Sequence, residues 1–554
     1  MKFLLKKTLA VYFPYAFLLC FLAIIGFVYS QLKDLDNVRF MAIQKIEELT
    51  ERNVAIGEAE FKFEKGISIR LHQLSIDSAN GNRKEFLAES AWCVIKLWPL
   101  LRKKIEFKKL IFKGASIELV RDKQGNYNFG DPKSWLDGAT SGGLFKILGA
   151  SLMHRLTVLD SEVRFLDYYN YSGAGPSIIA VKNINLTINK RFFQNIFSFD
   201  LNGEVPNKYQ TAVFKISGGI DNDKKRKKDR MIPVQGNLEI SHFHLAQLKP
   251  YFKNAFSLFP DSTSFSLESG FSGNLGTTLS SKGKLKFSNS LADRKPVFRS
   301  MESLNKGELD YSFTLENDSF KIKNVKLRSD IVNFSGNGEL LGWKSKDPVV
   351  NFSVQTDKFE IKKIRYNFPL IFSSDSLHKN FGQIFDNGTF EIKSFQFDGP
   401  VEQIKRLDSK RNNSLLTAEI TFKDMDWNSP LPPLQQVTGS LSYKNGDSFI
   451  EIVSAKFDDL PISNIKGTVK SMLDKPSADL SIVSKIDLMK LNQVLKKSIA
   501  GKSLENILDD YKEVKGNGVM EAKLQGPLEN LDKISLAAVL TTKGASFYDA
   551  YLGS

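Results

Sequence analysis

The side chains best suited to chemistry are few and scattered. The chain holds five histidines, His72, His154, His242, His244 and His378, and two cysteines, Cys20 and Cys93. A zinc site needs its ligands at set spacings, such as two histidines one helical turn apart or a cysteine pair two residues apart. These residues have no such spacing, and His242 and His244, two apart, read as a strand end. Gly336-Asn337-Gly338 reads as a turn and opens no phosphate-cradling or dinucleotide loop. The sequence carries no nucleophile elbow, and no catalytic carboxylate pair stands out among 62 acidic residues. The expectation is a non-enzymatic protein with no cofactor and no metal. Lys224-Lys225-Arg226-Lys227-Lys228 suits anionic headgroups or nucleic acid, but outside the cytoplasm it reads as a solvated loop, with no nucleic-acid partner.

The more informative chemistry is that of apolar surface. With φ for an apolar side chain, the phrase φxφxxφxφ recurs as Ile69-Leu71-Leu74-Ile76, Ile105-Phe107-Leu110-Phe112, Phe320-Ile322-Val325-Leu327, Phe390-Ile392-Phe395-Phe397 and Ile450-Ile452-Ala455-Phe457, with a looser copy at Leu156-Val158-Ser161-Val163. Alternation with period 2 places one face of a strand on an apolar surface. The extra residue in the middle would turn the second half outward unless a β-bulge absorbs it and bends the strand. Each copy therefore predicts a bent strand with one apolar, concave face. Candidate groove residues are Phe61, Phe63, Ile69, Leu71, Tyr311, Phe313, Phe320, Ile322, Phe390, Ile392, Phe395 and Phe397. Side chains of this kind also fill closed sandwich cores, so the pattern leaves an open groove and a sealed core as alternatives.

The elements that must position these strands begin with a membrane segment. Leu9–Ser30 is 22 residues without a charge, enough to span a bilayer core as a helix at ~1.5 Å per residue. Leu9, Phe17, Leu22, Ile25 and Val28 are its anchor residues, and Lys2, Lys6 and Lys7 predict a cytoplasmic N-terminus, residues 1–8. The alternative, a signal peptide cleaved after Val28-Tyr29-Ser30, fits less well because the apolar run exceeds the ~7–15 residues of a usual leader. Within residues 31–53, Val38, Met41, Ala42, Ile46 and Leu49 predict an amphipathic helix over Asp36–Asn53. Pairing between Cys20 and Cys93 is not expected, because Cys20 lies inside the apolar run. The net charge of +15 favours anionic surroundings.

At 554 residues, several domains or a repeat array are expected. Residues 54–230 read as an N-terminal β domain, with a turn at Asp122-Lys123-Gln124-Gly125-Asn126, a loop and short helix over Asp131–Met153, and a charged hairpin loop over Asp221–Arg230. A longer repeat follows over 231–351, 352–479 and 480–554. The strands Leu238-Ile240, Phe352-Val354 and Leu480-Ile482 lead into the short helices His244–Leu248, Glu360–Ile364 and Asp487–Leu491. Each is followed by a strand ending at Gly273-Asn274-Leu275, Gly399-Pro400-Val401 or Gly526-Pro527-Leu528, the glycines 126 and 127 residues apart. The third copy is incomplete: Leu536–Phe547 matches Leu416–Trp427, but nothing matches the hairpin Gly439–Phe457. The expectation is a missing C-terminal remainder or a partner protein that supplies the pairing edge.

Glu51-Arg52-Asn53-Val54-Ala55-Ile56, Ile67–Leu71, Trp98-Pro99-Leu100-Leu101, Ile105–Leu110, Ala115–Leu119 and Asp122–Phe129 resemble the AsmA family of Gram-negative envelope proteins. That family commonly follows its amphipathic helix with Thr-Gly-Arg-x-Val; Glu51-Arg52-Asn53-Val54 lacks the glycine. The resemblance implies a role in outer-membrane biogenesis and a likeness to bridge-type lipid carriers, in which a curved β-sheet holds acyl chains across the periplasm. The resulting expectation is mostly β: a transmembrane helix followed by an elongated, curved antiparallel sheet with a few short helices. Its function would be to channel phospholipid from the inner membrane toward the outer membrane, with the bulk of the chain periplasmic. Its partners would be phospholipid, the inner membrane and an outer-membrane or periplasmic protein at the C-terminal edge. The rival expectation is a scaffold for outer-membrane protein assembly acting through exposed strand edges.

Overall fold

A computed structural model describes Gly26, Phe40 and residues 43–44, 46–48, 52–62, 68–78, 84–96, 107–128, 155–169, 176–190, 196–207, 209–221, 232–244, 263–274, 277–289, 306–364, 387–407, 409–428, 433–497, 511–528, 530 and 533–549. Among the described residues strands dominate, and helices are few and short. Two compact units are present, Met1–Ser257 with Ser264–Leu275, and Leu258–Thr263 with Gly276–Ser554.

Unit 1 carries β1 (Val54–Ala55), β2 (Glu58–Lys62), β3 (Ser68–Asp77), β4 (Lys84–Ile95), β5 (Phe107–Arg121), β6 (Arg155–Asp167), β7 (Ser177–Lys190), β8 (Ile196–Val205), β9 (Ala212–Asp221), β10 (Pro233–His244) and β11 (Thr263–Asn274). Both β1 and β2 pair with β3, and each later strand pairs with the next. The expectation of an antiparallel sheet is corrected at one point: β5 and β6 run parallel. The 33 residues between Arg121 and Arg155 are long enough to carry the chain back to the starting end, as a parallel pair requires. Phe40, Ile43, Gln44, Ile46, Glu47 and Glu48 are helical, and Ile46 and Ile43 pack on the core of β1 and β3–β6. Glu47 Oε1 accepts the Val54 N–H at 3.0 Å, tying this helix to the first strand.

Unit 2 carries β12 (Thr278–Asn289), β13 (Lys306–Leu315), β14 (Ser319–Ser329), β15 (Phe334–Leu341), β16 (Val349–Thr356), β17 (Phe359–Glu360), α1 (Ile361–Ile364), β18 (Thr389–Pro400), two 3-10 turns (Val401–Arg406 and Lys410–Leu415), β19 (Leu416–Trp427), β20 (Leu434–Lys444), β21 (Asp447–Phe457), β22 (Leu460–Lys470), β23 (Ser477–Asp487), α2 (Leu488–Lys497), β24 (Tyr511–Pro527) and β25 (Ser535–Asp549). Its pairings among the described residues are antiparallel, with β16 and β17 one after the other along β18. Two local contacts are alike: the Val401 N–H donates to the Pro348 carbonyl and the Leu528 N–H to the Pro476 carbonyl, at 2.9 and 2.8 Å. The short helices expected after Phe352-Val354 and Leu480-Ile482 are α1 and α2; Leu245–Leu248 lies outside the described residues.

The extra residue of the recurring phrase is absorbed in two ways. In β14, register slips by one between Ile322 and Val325 against β15; in β18 it slips between Ile392 and Ser394 against β19. In β3 a left-handed residue does the turning instead, Gln73 at φ 53°, and β6 combines the two, with Asp160 at φ 48° and register shifts on both sides of Ser161 against β7. Either device returns the second apolar pair to the same face.

Candidate functional site

In unit 2 the register lines up the apolar positions of successive strands. One row reads Tyr311, Val325, Gly336, Val354, Phe395, Ala418 and Tyr443 from β13 to β20. A second reads Ile392, Ile420, Leu441, Ile450, Gly467, Leu480, Leu524 and Leu536 from β18 to β25. Rings cluster on this face: Tyr311 stacks on Phe313 at 5.7 Å, Phe313 meets Phe320 at 5.2 Å, and Phe352 lies 6.0 Å from Phe395 and 5.8 Å from Phe397.

Gly336-Asn337-Gly338, expected as a turn, lies inside β15, and glycines, usually poor strand residues, have a specific use here. A Cβ on Gly307 would stand 2.3 Å from Phe287 Cζ, and one on Gly338 would stand 2.9 Å from Phe352 Cβ. The neighbouring Phe side chain occupies the space that a larger residue would need, which keeps the sheet surface covered where glycine leaves it bare.

Burial divides the face. From β12 to β16, Leu309, Tyr311, Phe313, Phe320, Ile322, Val325, Phe334 and Phe352 are only half-buried, with Phe287 and Leu327 buried among them. From β19 to β23, Phe422, Met425, Val437, Ile450, Ile452 and Ile465 are buried in one cluster. Near one end of the strands, Leu491 and Val494 of α2 pack with Leu460, Ile486 and Met520. At the other, Ile404, Leu407 and Leu415 of the 3-10 segment cover Phe397, Leu416 and Tyr443.

The groove candidates therefore separate. Tyr311, Phe313, Phe320, Ile322, Phe390, Ile392 and Phe395 share the unit 2 face and are half-buried. Phe397 shares it at 1% exposure. Ile69 and Leu71, at 2% and 1%, are sealed in the unit 1 core under Ile43 and Ile46. Phe61 is in β2 opposite Ile69, with its side chain outside the described set, and Phe63 lies outside the described residues. Val325, already in the recurring phrase, belongs to the same half-buried stretch, as do Phe334 and Phe352, which strand pairing brings to it.

The opposite face of β12–β14 is wet and charged. Lys284 reaches Glu308 at 2.9 Å, and Arg328 bonds both Glu308, at 2.6 Å, and Asp310. The Arg328 guanidinium, then Lys284, holds the Glu308 carboxyl down to about 2. In unit 1, burial pushes the Cys93 thiol up to about 12, which keeps it protonated and inert. His242 is exposed, whereas His244 is buried against Tyr209 at a ring distance of 5.2 Å. Among the described residues, no three His, Cys, Asp or Glu side chains converge as a metal site.

The N-terminal part of unit 1 supplies the family evidence. Arg52 leaves the helix to bond Glu85 at 2.6 Å and the Asn128 carbonyl at 2.6 Å, while Asn128 Oδ1 accepts the Val120 N–H. Arg52, β4, β5 and the 122–128 turn are thus fastened together. Residues 5–133 match the AsmA family. The AsmA match takes in the 40–48 helix and β1–β5. It is compatible with a bacterial envelope role, and AsmA proteins are not known as enzymes. A search of curated proteins found no match. Among the described residues, no helix is long and apolar enough to cross a membrane. The anchor residues Leu9, Phe17, Leu22, Ile25 and Val28 lie outside them, as do Lys224–Lys228.

Proposed function

We propose that unit 2 holds phospholipid acyl chains on the apolar face of β12–β18, as a non-enzymatic envelope protein that passes lipid from the inner toward the outer membrane. The observation that carries this reading is the half-buried row of large apolar side chains kept on one face by register and bulges. Moving a phospholipid between membranes is slow because its chains must cross water at about 0.8 kcal/mol per methylene. A sheet face that covers those methylenes lowers that cost without any covalent step. The charged opposite face keeps the carrier soluble. The AsmA match and the uncharged Leu9–Ser30 segment support anchorage at the inner membrane with the strands in the periplasm.

The test is photocrosslinking in cells with benzoylphenylalanine at Phe313, Ile322 or Phe352, against Lys321 on the wet face. Phospholipid adducts at the first three and none at Lys321 are expected. Equal labelling at all four, or none at any, removes the reading. A second reading, a scaffold for outer-membrane proteins, draws on β25, which pairs with β24 and leaves Leu536 and Val539 65% and 66% exposed. Protein adducts along β25 with no lipid adduct at Phe313 would favour it.

A further inference from the structure

The 3-10 segment between β18 and β19 is fastened differently from the strands around it. Its polar contacts are largely with itself: the Asn412 N–H donates to the Ser409 carbonyl at 2.8 Å, Asn412 Nδ2 to the Arg406 carbonyl at 2.8 Å, and the Ser409 N–H to the Arg406 carbonyl at 3.0 Å. It meets the sheet through Ile404, Leu407 and Leu415, which press on Phe397, Leu416 and Tyr443. Where it closes on the sheet, three polar atoms are buried without a hydrogen-bond partner: Asn413 Oδ1, Tyr443 Oη and Ser448 Oγ. They belong to one place. Tyr443 and Ser448 are cross-strand neighbours flanking the Lys444–Asp447 turn, and Asn413 packs so close to that turn that a Cβ on Gly446 would stand 2.5 Å from its Nδ2.

This combination is unusual for a structural plug. Burying an unpartnered hydroxyl or amide opposes closure, whereas the apolar underside favours it. The two tendencies leave the segment near balance, as expected of an element drawn from the least stable parts of a fold. Beneath it, Phe397 continues the ring cluster of Phe352 and Phe395.

Resting on the function proposed above, we infer that residues 401–415 form a displaceable lid over an acyl-chain subsite made by Phe397, Leu416, Ala418 and Tyr443. An arriving hydrocarbon chain replaces Ile404, Leu407 and Leu415 on the sheet, and opening returns Asn413, Tyr443 and Ser448 to water.

The experiment is hydrogen–deuterium exchange on the full chain in lipid-free amphipol, with and without vesicles of phosphatidylethanolamine and phosphatidylglycerol, with bound lipid measured by mass spectrometry. Vesicles are expected to speed exchange of the 402–415 amides at least fivefold and to leave the interior of β21 and β22 unchanged. The Tyr443→Phe, Ser448→Ala variant removes two of the orphaned hydroxyls. It should slow lid exchange without lipid about tenfold and slow lipid uptake. Leu407→Ala should do the reverse, which keeps the test decisive if the double variant misfolds. Lipid loading with no change in lid exchange overturns the lid and leaves the carrier reading standing. No lipid loading at all overturns both.

Discussion

Placing a carboxylate on the half-open stretch is the sharpest test of how this surface works, and Phe313→Asp is the substitution of choice. Phe313 is half-buried between Tyr311 and Phe320, so an aspartate there reaches water in the unloaded protein and costs little folding stability. A loaded chain changes that balance. Strands lie ~4.8 Å apart, so about four methylenes of an extended chain cross each one. Covering half of each gives roughly 1.5 kcal/mol per strand at about 0.8 kcal/mol per fully buried methylene. Aspartate forfeits that strand and adds roughly 1–3 kcal/mol for a carboxylate trapped under hydrocarbon. The sum is about 3 kcal/mol, roughly a hundredfold in affinity for a chain lying there. The full chain, purified without lipid and exposed to vesicles, should lose at least tenfold of its phospholipid by mass spectrometry. Its melting temperature should stay within a few degrees of wild type. Phe397→Asp cannot serve, because at 1% exposure it would cost several kcal/mol of folding stability as well. If Phe313→Asp folds and loads lipid normally, the acyl-surface argument fails.

Three further outcomes follow from the geometry. Gly307→Ala should destabilise by about 1–3 kcal/mol in chemical denaturation, because its Cβ would overlap the Phe287 ring, and Phe287→Leu in the same chain should restore part of the loss. Arg52→Met should cost about 3–5 kcal/mol, leaving Glu85 buried at 5% exposure without its cation, while Arg52→Met with Glu85→Leu should be far milder. Glu308, held near 2 from an ordinary 4.5, binds fewer protons folded than unfolded, so its stabilisation is complete above pH 4.5 and fades toward pH 2. Denaturation midpoints across that range should fall less steeply in Glu308→Gln.

The phrase φxφxxφxφ made the bent strands legible because a period of 2 broken by one residue has few other solutions. Two short helices were legible from local spacing as well: α1 and α2 stand close to where Glu360–Ile364 and Asp487–Leu491 predicted them. Which apolar positions end up sealed was not legible. Ile69 and Leu71 carry the same pattern as Phe320 and Ile322, yet Ile43 and Ile46 close over the first pair, and that depends on packing from another element. The pairing of Phe287 with Gly307 was equally hidden, since the partners are 20 residues apart and meet only through register. The parallel β5–β6 pair depends on a long connection whose direction no spacing rule encodes.

The glycine-and-ring pairs have a consequence for anything that slides. Ordinary β surfaces offer knobs at a regular pitch, and a hydrocarbon tail resting on knobs settles into notches that it must climb out of. Where Phe287 fills the hollow above Gly307, that corrugation is smoothed away. Friction on such a floor depends weakly on where along the tail the contact falls, so tails of different length and unsaturation should travel at similar speed.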